Sequence, residues 1–333
     1  MSEKLNFKSL KKDSINLNDS KESLEFYEER YSGDYMRDWP ESKKKKVAEI
    51  INELDLPEYG EALDFGCGNG VFTDVIRSCL PKWKVYGTDL STNAIKNAKN
   101  RFPNCIFFDN NDKDLKNKSF DFLFTNHVIE HVFDINEVFY QMNNFLKKNS
   151  YMLHFLPCGN PNSYEYNICT LRKDGIDPKI GNRFFFEDEG HVRRLTTEEF
   201  RLIAKNIGFN LEKSFYSNQY YGAINWITND LKTFLIHFFN TSMAINKRAK
   251  SKLRKERNRL LPIAILRFPY SFISRKFQSN HKSLIDYVLI ILSIPFYLFS
   301  KQINNYWESK ALLEWQNNKN SPNGSEMALF LKR

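Results

Sequence analysis

Between residues 61 and 157, short apolar runs alternate with segments in which apolar residues recur every three or four positions. Glu61 to Phe65 reads as a buried strand and Val71 to Leu80 as a helix. Trp83 to Thr88 alternates, ends at Asp89, and is followed by a helical stretch, Thr92 to Arg101. Cys105 to Phe108 and Phe120 to Thr125 read as a third and a fourth strand, and Ile129 to Leu146 as a helix. Tyr151 to Leu156 is a fifth strand, closed by Pro157. Such alternation predicts an α/β fold, a doubly wound and mostly parallel sheet with right-handed crossovers.

The pattern continues on both sides. Glu22 to Tyr31 and Lys43 to Leu54 are helical candidates ahead of the first strand. Thr196 and Glu199 form a capping box that opens a helix running to Asn206, with Gly208 as its stop. Phe209 to Tyr216 reads as a sixth strand, and Met327 to Leu331 is strand-like.

Between the first strand and its helix lies Asp64-Phe65-Gly66-Cys67-Gly68-Asn69-Gly70. A glycine-rich turn there lets the backbone approach a ligand and aims N–H groups at it, although a merely tight turn would use the same residues. The spacing is not the dinucleotide form Gly-x-Gly-x-x-Gly, because Val71 fills the last glycine's slot. Asp89 stands 25 positions beyond Asp64, where an acid accepts hydrogen bonds from ribose hydroxyls or else caps the next helix.

The glycine turn and the context Tyr86-Gly87-Thr88-Asp89-Leu90-Ser91 resemble the first two signatures of class I S-adenosylmethionine (SAM) dependent methyltransferases. The resemblance covers about residues 40–216 and the final strand. It implies a Rossmann-like sheet of seven strands whose last pair is antiparallel, with SAM as cofactor. It also implies that Asp64, Gly66, Cys67, Gly68, Gly70, Asp89 and Leu90 bind SAM, with Asp109, Asn110 and Asn126 from the next two strand ends. The string Phe26-Tyr27-Glu28-Glu29-Arg30-Tyr31 resembles a lid over the cofactor; packing of its aromatics on the sheet is the plain alternative.

Candidate chemistry follows the fourth and fifth strands. His127, Glu130 and His131 stand at i, i+3 and i+4 and would share one face of a helix. The string matches His-x-x-Glu-His of inverted zinc proteases, but its setting after a sheet strand argues against a protease. It resembles the post-strand motif of the ubiquinone-biosynthesis O-methyltransferases, in which two acids and a His can hold a divalent cation. His127 replaces the first acid here, so no metal site is assigned. His131 is a candidate base or a polar residue closing a helix–sheet junction. His191, in Glu189 to Leu195, is a second candidate base ahead of the capping box. The loop Gly159 to Glu189, rich in Tyr, Phe, Asn and Arg, is the natural seat of substrate specificity.

Charge changes the picture late in the chain. Sixteen Lys and Arg face four acids between residues 231 and 320, a local +12 against +9 for the whole chain, so the rest sums to −3. Lys247 to Arg259 holds eight of these bases and one acid. Leu284 to Phe299 is nearly continuously apolar, with Asp286 inside and Pro295 near its end, and falls short of the roughly 20 residues needed to span a bilayer. Residues 231–310 therefore read as an anionic-membrane surface segment held chiefly by electrostatics, or as a solvated helical cap. Nucleic acid is disfavoured, since no RNA-binding motif accompanies the basic and aromatic residues. Five cysteines without a C-x-x-C pair fit reduced thiols, and Met1 to Ser20 has no apolar signal segment, which points to the cytoplasm.

The expected organisation is a tail with lid helices (1–42), a SAM-binding core (43–216), a helical insertion (217–325) and the final strand (326–333). The expected function is O-methylation of a small or lipid-linked acceptor such as a saccharide, at the inner face of a membrane. A quinone or prenyl-lipid methyltransferase is the alternative enzyme, and a non-catalytic SAM-binding scaffold the alternative of another class.

Overall fold

The computed structural model describes residues 20–32, 36–109, 112–279 and 282–333. The expectations for residues 1–19 and for Asn110 lie outside the described residues. Helices α1 (Ser20–Ser32) and α2 (Glu41–Asn52) precede the sheet. Then β1 (Glu61–Phe65), α3 (Val71–Cys79), β2 (Lys84–Asp89), α4 (Thr92–Arg101), β3 (Ile106–Asp109), the single turn α5 (Lys113–Lys116) and β4 (Phe120–Asn126) alternate. Helix α6 (Ile135–Asn144), β5 (Leu146–Pro157), α7 (Tyr164–Cys169) and a two-residue hairpin, β6 (Ile176–Asp177) with β7 (Arg183–Phe184), follow. Next come α8 (Thr197–Asn206) and β8 (Asn210–Ser217). Five helices separate β8 from the last strand: α9 (Tyr221–Asn229), α10 (Leu231–Phe238), α11 (Lys247–Gln278), α12 (Leu284–Ser293) and α13 (Tyr297–Asn318). Strand β9 (Glu326–Lys332) ends the chain.

The seven main strands lie in the order β3-β2-β1-β4-β5-β9-β8, with parallel pairing from β3 to β5 and the last strands antiparallel. This is the doubly wound sheet that the alternation predicts. Strands covered on both faces need apolar residues at consecutive positions rather than alternate ones. Strand β4 shows it, with Phe120, Phe122, Leu123 and Phe124 all fully buried.

Two expectations are corrected. The segment after β4 is not one helix from Ile129 to Leu146. His127 takes a left-handed backbone (φ 54°), a 3-10 turn covers Ile129–His131, and α6 starts afresh where Asp134 accepts from the N–H groups of Asn136 and Glu137. Strand β5 then begins at Leu146, earlier than Tyr151. Conversely, the Thr196–Glu199 capping box is present, and Gly208 (φ 84°) ends α8 with the N–H groups of Gly208 and Phe209 bonded to the carbonyls of Lys205 and Ala204.

The chain divides into two compact units. The first holds Met1–Pro157, Glu189–Ser214 and Ala328–Arg333; the second holds Cys158–Asp188 and Phe215–Met327. The loop after β5 thus groups with the inserted helices. The second unit has its own core, in which Ile224, Ile227, Phe234 and Phe238 pack with Leu253, Leu260 and Ala264 of α11. Buried positions 249, 253, 260, 264, 267 and 271 form one stripe along α11, and one of them is Arg267. Its guanidinium, fully buried, donates to the Asn225 carbonyl (2.9 Å), Thr228 Oγ1 (2.8 Å) and Asn304 Oδ1 (2.6 Å). Burial pulls its pKa down to about 10.

Two outcomes are expected from these cores. Arg267→Ala, which leaves Asn304 and Thr228 unsatisfied, should cost about 3–5 kcal/mol in denaturant unfolding, and Lys should not rescue it because it lacks the planar fork. His154 of β5 is fully buried beside Thr125 Oγ1 (2.8 Å), and burial depresses its pKa from 6.5 to about 3. Below pH 6.5 the unfolded chain takes up this proton and the folded one does not, so the effect grows as pH falls towards 3. His154→Gln should flatten the acid limb of stability against pH by up to about 1.4 kcal/mol per pH unit.

Candidate functional site

The candidate residues of the first unit gather at the carboxyl ends of β1, β2 and β4, where the winding of the sheet reverses between β1 and β4. Gly66, Gly68 and Gly70 all have left-handed φ (76°, 51° and 80°). At Gly66 the requirement is also steric, since a Cβ there would lie 2.4 Å from Val128 Cγ2 in the loop after β4. The turn is tied to the next strand by the N–H groups of Gly66 and Cys67, which both donate to the Thr88 carbonyl (2.8 and 2.9 Å).

Asp64 is buried and accepts from Thr73 Oγ1 at 2.6 Å. Burial, opposed by that bond and reinforced by the Asp89 charge, pushes its pKa up to about 7. Asp89 accepts from the N–H groups of Gly68 (2.8 Å) and Ser91 (2.9 Å), so it holds the glycine turn as well as the start of α4. Leu90 is 51 % exposed, Cys67 is buried, and Asp109 is exposed at the end of β3. Asn126 is buried, and its Oδ1 has no hydrogen-bond partner among the described residues. An adenosyl ligand with a charged amino-acid end fits this set: a glycine cradle open to close approach, an acid at the second strand end, and an orphaned amide oxygen at the switch point.

Helix α1 reaches the same edge. The Glu28 carboxylate accepts from Ser91 Oγ (3.1 Å), Thr92 Oγ1 (2.7 Å) and the Asn93 N–H (3.2 Å), capping α4 from outside its own chain segment. A Cβ on Gly68 would lie 2.8 Å from the Tyr31 hydroxyl, so the lid-like string does lie over the turn. Capping was legible only in part. The N-cap of α4 is Ser91, whose Oγ accepts from the Ala94 N–H (3.1 Å), and not Asp89 two positions earlier; nothing local marks Glu28 as its partner.

The acid–base candidates form a second cluster. Glu130 is 1 % exposed; His127 Nδ1 donates to its Oε1 at 2.7 Å, and its Oε2 has no hydrogen-bond partner among the described residues. Burial would raise this carboxyl, but the charge and hydrogen bond of His127, with the charges of His131 and His191, outweigh it and hold the pKa at about 2. His131 Nδ1 lies 3.1 Å from the Gly190 carbonyl, which can only accept, so in the neutral ring Nε2 carries the lone pair. The rings of His131 and His191 stand 4.6 Å apart, edge to face, and the Val192 N–H donates to the Glu130 carbonyl at 2.8 Å. His191 is therefore brought in by its loop ahead of Thr196, not by the helix N-terminus itself.

The three residues His127, Glu130 and His131 do not share a helical face. His127 turns back to Glu130 and stacks on Trp39 (5.5 Å, 23° between planes), while His131 pairs with His191 and meets Tyr27 at 5.8 Å. Ligand atoms of Glu130, His131 and His191 lie within 4.8 Å of one another, a set that could hold a cation. Trp39 was not legible as a site residue, and Tyr27 only as part of the lid-like string, because only the fold brings them beside the imidazoles.

This sheet order, with a glycine turn after β1 and an acid closing β2, defines the class I methyltransferase fold. The sequence profile of the methyltransferase-domain family matches residues 35–214, more than half of the chain, and the chain belongs to this family of SAM-dependent enzymes. A trans-aconitate 2-methyltransferase of Variovorax paradoxus is 31 % identical over 71 residues, which are 21 % of this chain and 27 % of that protein. A putative methyltransferase, 235L, of Invertebrate iridescent virus 6 is 26 % identical over 168 residues, 49 % of this chain and 60 % of that one. The chain thus spans less than two thirds of these relatives. Among solved structures, a SAM-dependent methyltransferase from Archaeoglobus fulgidus aligns with 92 % of this chain and 98 % of its own at 17 % identity (TM-score 0.43). A coclaurine N-methyltransferase bound to N-methylheliamine and SAH aligns with 87 % and 72 % at 10 % identity (TM-score 0.45).

The glycine turn offers a direct check. Gly66→Ala combines a left-handed backbone, worth about 1–2 kcal/mol, with the clash on Val128, and should lower the melting temperature. Val128→Ala in the same chain should recover the steric part and leave the backbone part, as read from the double-mutant cycle.

Proposed function

We propose that this chain transfers a methyl group from SAM to a hydroxyl oxygen of a small or lipid-linked acceptor, such as a saccharide. The observation that carries this reading is the pair of imidazoles beside an ionised, buried Glu130. A neutral amine needs no base to attack a sulfonium methyl, whereas a hydroxyl must lose its proton as it attacks. In the step proposed, the acceptor oxygen forms the new C–O bond and the sulfonium sulfur keeps the electrons of the broken C–S bond. His131 or His191 takes the hydroxyl proton, and Glu130 stabilises the imidazolium that results. The remaining contribution is position, since an in-line displacement depends on holding acceptor and methyl together.

In this reading Asp89 receives the ribose hydroxyls. Asp64 and the turn Gly66 to Gly70 receive the amino-acid end, and Leu90, Asp109 and Asn126 line the adenosyl side. The basic second unit supports a place at the inner surface of a membrane, where a lipid-linked acceptor would be met. A quinone or prenyl-lipid acceptor is the competing substrate class.

Calorimetry is expected to show binding of S-adenosylhomocysteine and none of NAD, with Asp89→Ala weakened at least about tenfold. Incubation with labelled SAM and separate lipid, glycan and RNA pools should label glycan or lipid; label confined to RNA would overturn the acceptor assignment. His131→Ala and His191→Ala should lower kcat by about 10²–10⁴ where the residue is the base, without weakening S-adenosylhomocysteine.

A further inference from the structure

Residues 284–299 run through α12, a 3-10 turn over Ile294–Phe296 and the first residues of α13 without leaving helical geometry. Pro295 falls inside the 3-10 turn and does not end the run. Within these sixteen residues Leu284 is 86 % exposed, Ile285 70 %, Ile291 66 % and Leu298 73 %, and only Ser293 is buried. At about 100° per residue, the exposed apolar positions cover an arc of roughly 200°. Phe277 at the end of α11 is also 75 % exposed.

A helix of a water-soluble unit turns an apolar stripe inward and a polar face out. Here more than half of the circumference is apolar and outward. A protein groove would have to wrap the helix to cover that arc, whereas hydrocarbon covers it without a complementary shape. By length and composition the run starting at Leu284 could cross a membrane. Two features argue for a position in the membrane plane instead. The apolar stretch is about 24 Å long against about 30 Å of hydrocarbon. Beyond it, α13 buries Asn304 and Glu314 within its own unit. Lys282 and Lys301 flank the stretch, and the Lys282 ammonium donates to the Ser279 carbonyl at 2.8 Å.

The charges nearest α12 are largely paired. Lys276 binds Asp286 at 2.9 Å, and Arg275 binds Asp230. The cluster Lys247 to Arg259 is centred about 36 Å away along α11 from Phe277. It cannot sit on the same patch of headgroups as a short in-plane α12 without the whole of α11 lying along the surface.

We infer that α12 inserts in plane below the headgroups of a bilayer, and that hydrocarbon contact rather than anionic charge dominates its binding. This deepens the membrane part of the proposed function and reverses the salt dependence expected from the sequence.

The test is flotation of the 333-residue chain with phosphatidylcholine vesicles and with phosphatidylglycerol-containing vesicles at 0.1 and 1 M salt. Binding to phosphatidylcholine should persist and change by less than about threefold between the two salts. The exposed triple variant Leu284→Ser, Ile291→Ser, Leu292→Ser should lose at least about 100-fold in partitioning and still bind S-adenosylhomocysteine. In Ile291→Trp, vesicles should shift the emission to the blue, and lipids brominated along the acyl chain should quench it. Binding confined to phosphatidylglycerol and abolished at 1 M salt would overturn hydrocarbon insertion. Protein that stays in the supernatant with both vesicles would overturn membrane contact altogether. A lipid-free dimer that already shields Trp at 291 and ignores vesicles would assign α12 to a second copy instead. The vesicle assay reads neither cofactor nor transfer, so its failure leaves the methyl-transfer reading intact, and the converse also holds.

Discussion

The candidate site depends on one buried charge. Glu130, 1 % exposed, is ionised across the physiological range because His127 donates to one oxygen and the two other imidazoles stand nearby. A lone carboxylate at that depth would take up a proton rather than stay charged. Its backbone matters as much, since the Glu130 carbonyl holds the loop that carries His191. Trp39 on His127 and Tyr27 beside His131 then enclose the cluster with rings from the N-terminal segment.

The glycine turn rests on geometry more than on charge. The turn after β1 uses left-handed backbone at three glycines, and the Thr88 carbonyl and the Asp89 carboxylate bind it to β2. The loop after β4 closes on it so tightly that Gly66 has no room for a methyl group beside Val128. Both clusters therefore meet where the sheet reverses its winding, which is where open α/β sheets present ligands.

The second unit is a different solution. Five helices interrupt the pairing of β8 with β9, and together with the loop after β5 they build a core of their own. Its centre holds Arg267, satisfied by amide and hydroxyl oxygens and not by an acid. Many apolar residues that this core does not use are displayed along α12, among them Leu284, Ile285 and Ile291.

Local rules made much of the first unit legible. Period and turn chemistry predicted β1 through β5, the Thr196 capping box and the Gly208 stop, because each is decided by residues within a few positions of one another. The same holds for the glycine turn and for Asp89 as strand-end residues. The segment after β4 was misread because the backbone of His127 is set by its contacts to Glu130 and Phe155, not by helix propensity. That His191 meets His131, that Glu28 caps α4, and that Trp39 covers His127 were beyond any reading of spacing, since each joins segments 60 or more positions apart or depends on the lid's position. For α12, composition by itself determined an apolar segment interrupted by Asp286 and Pro295. Only the tertiary structure decided that this segment faces outward, because exposure depends on which faces the other helices leave uncovered.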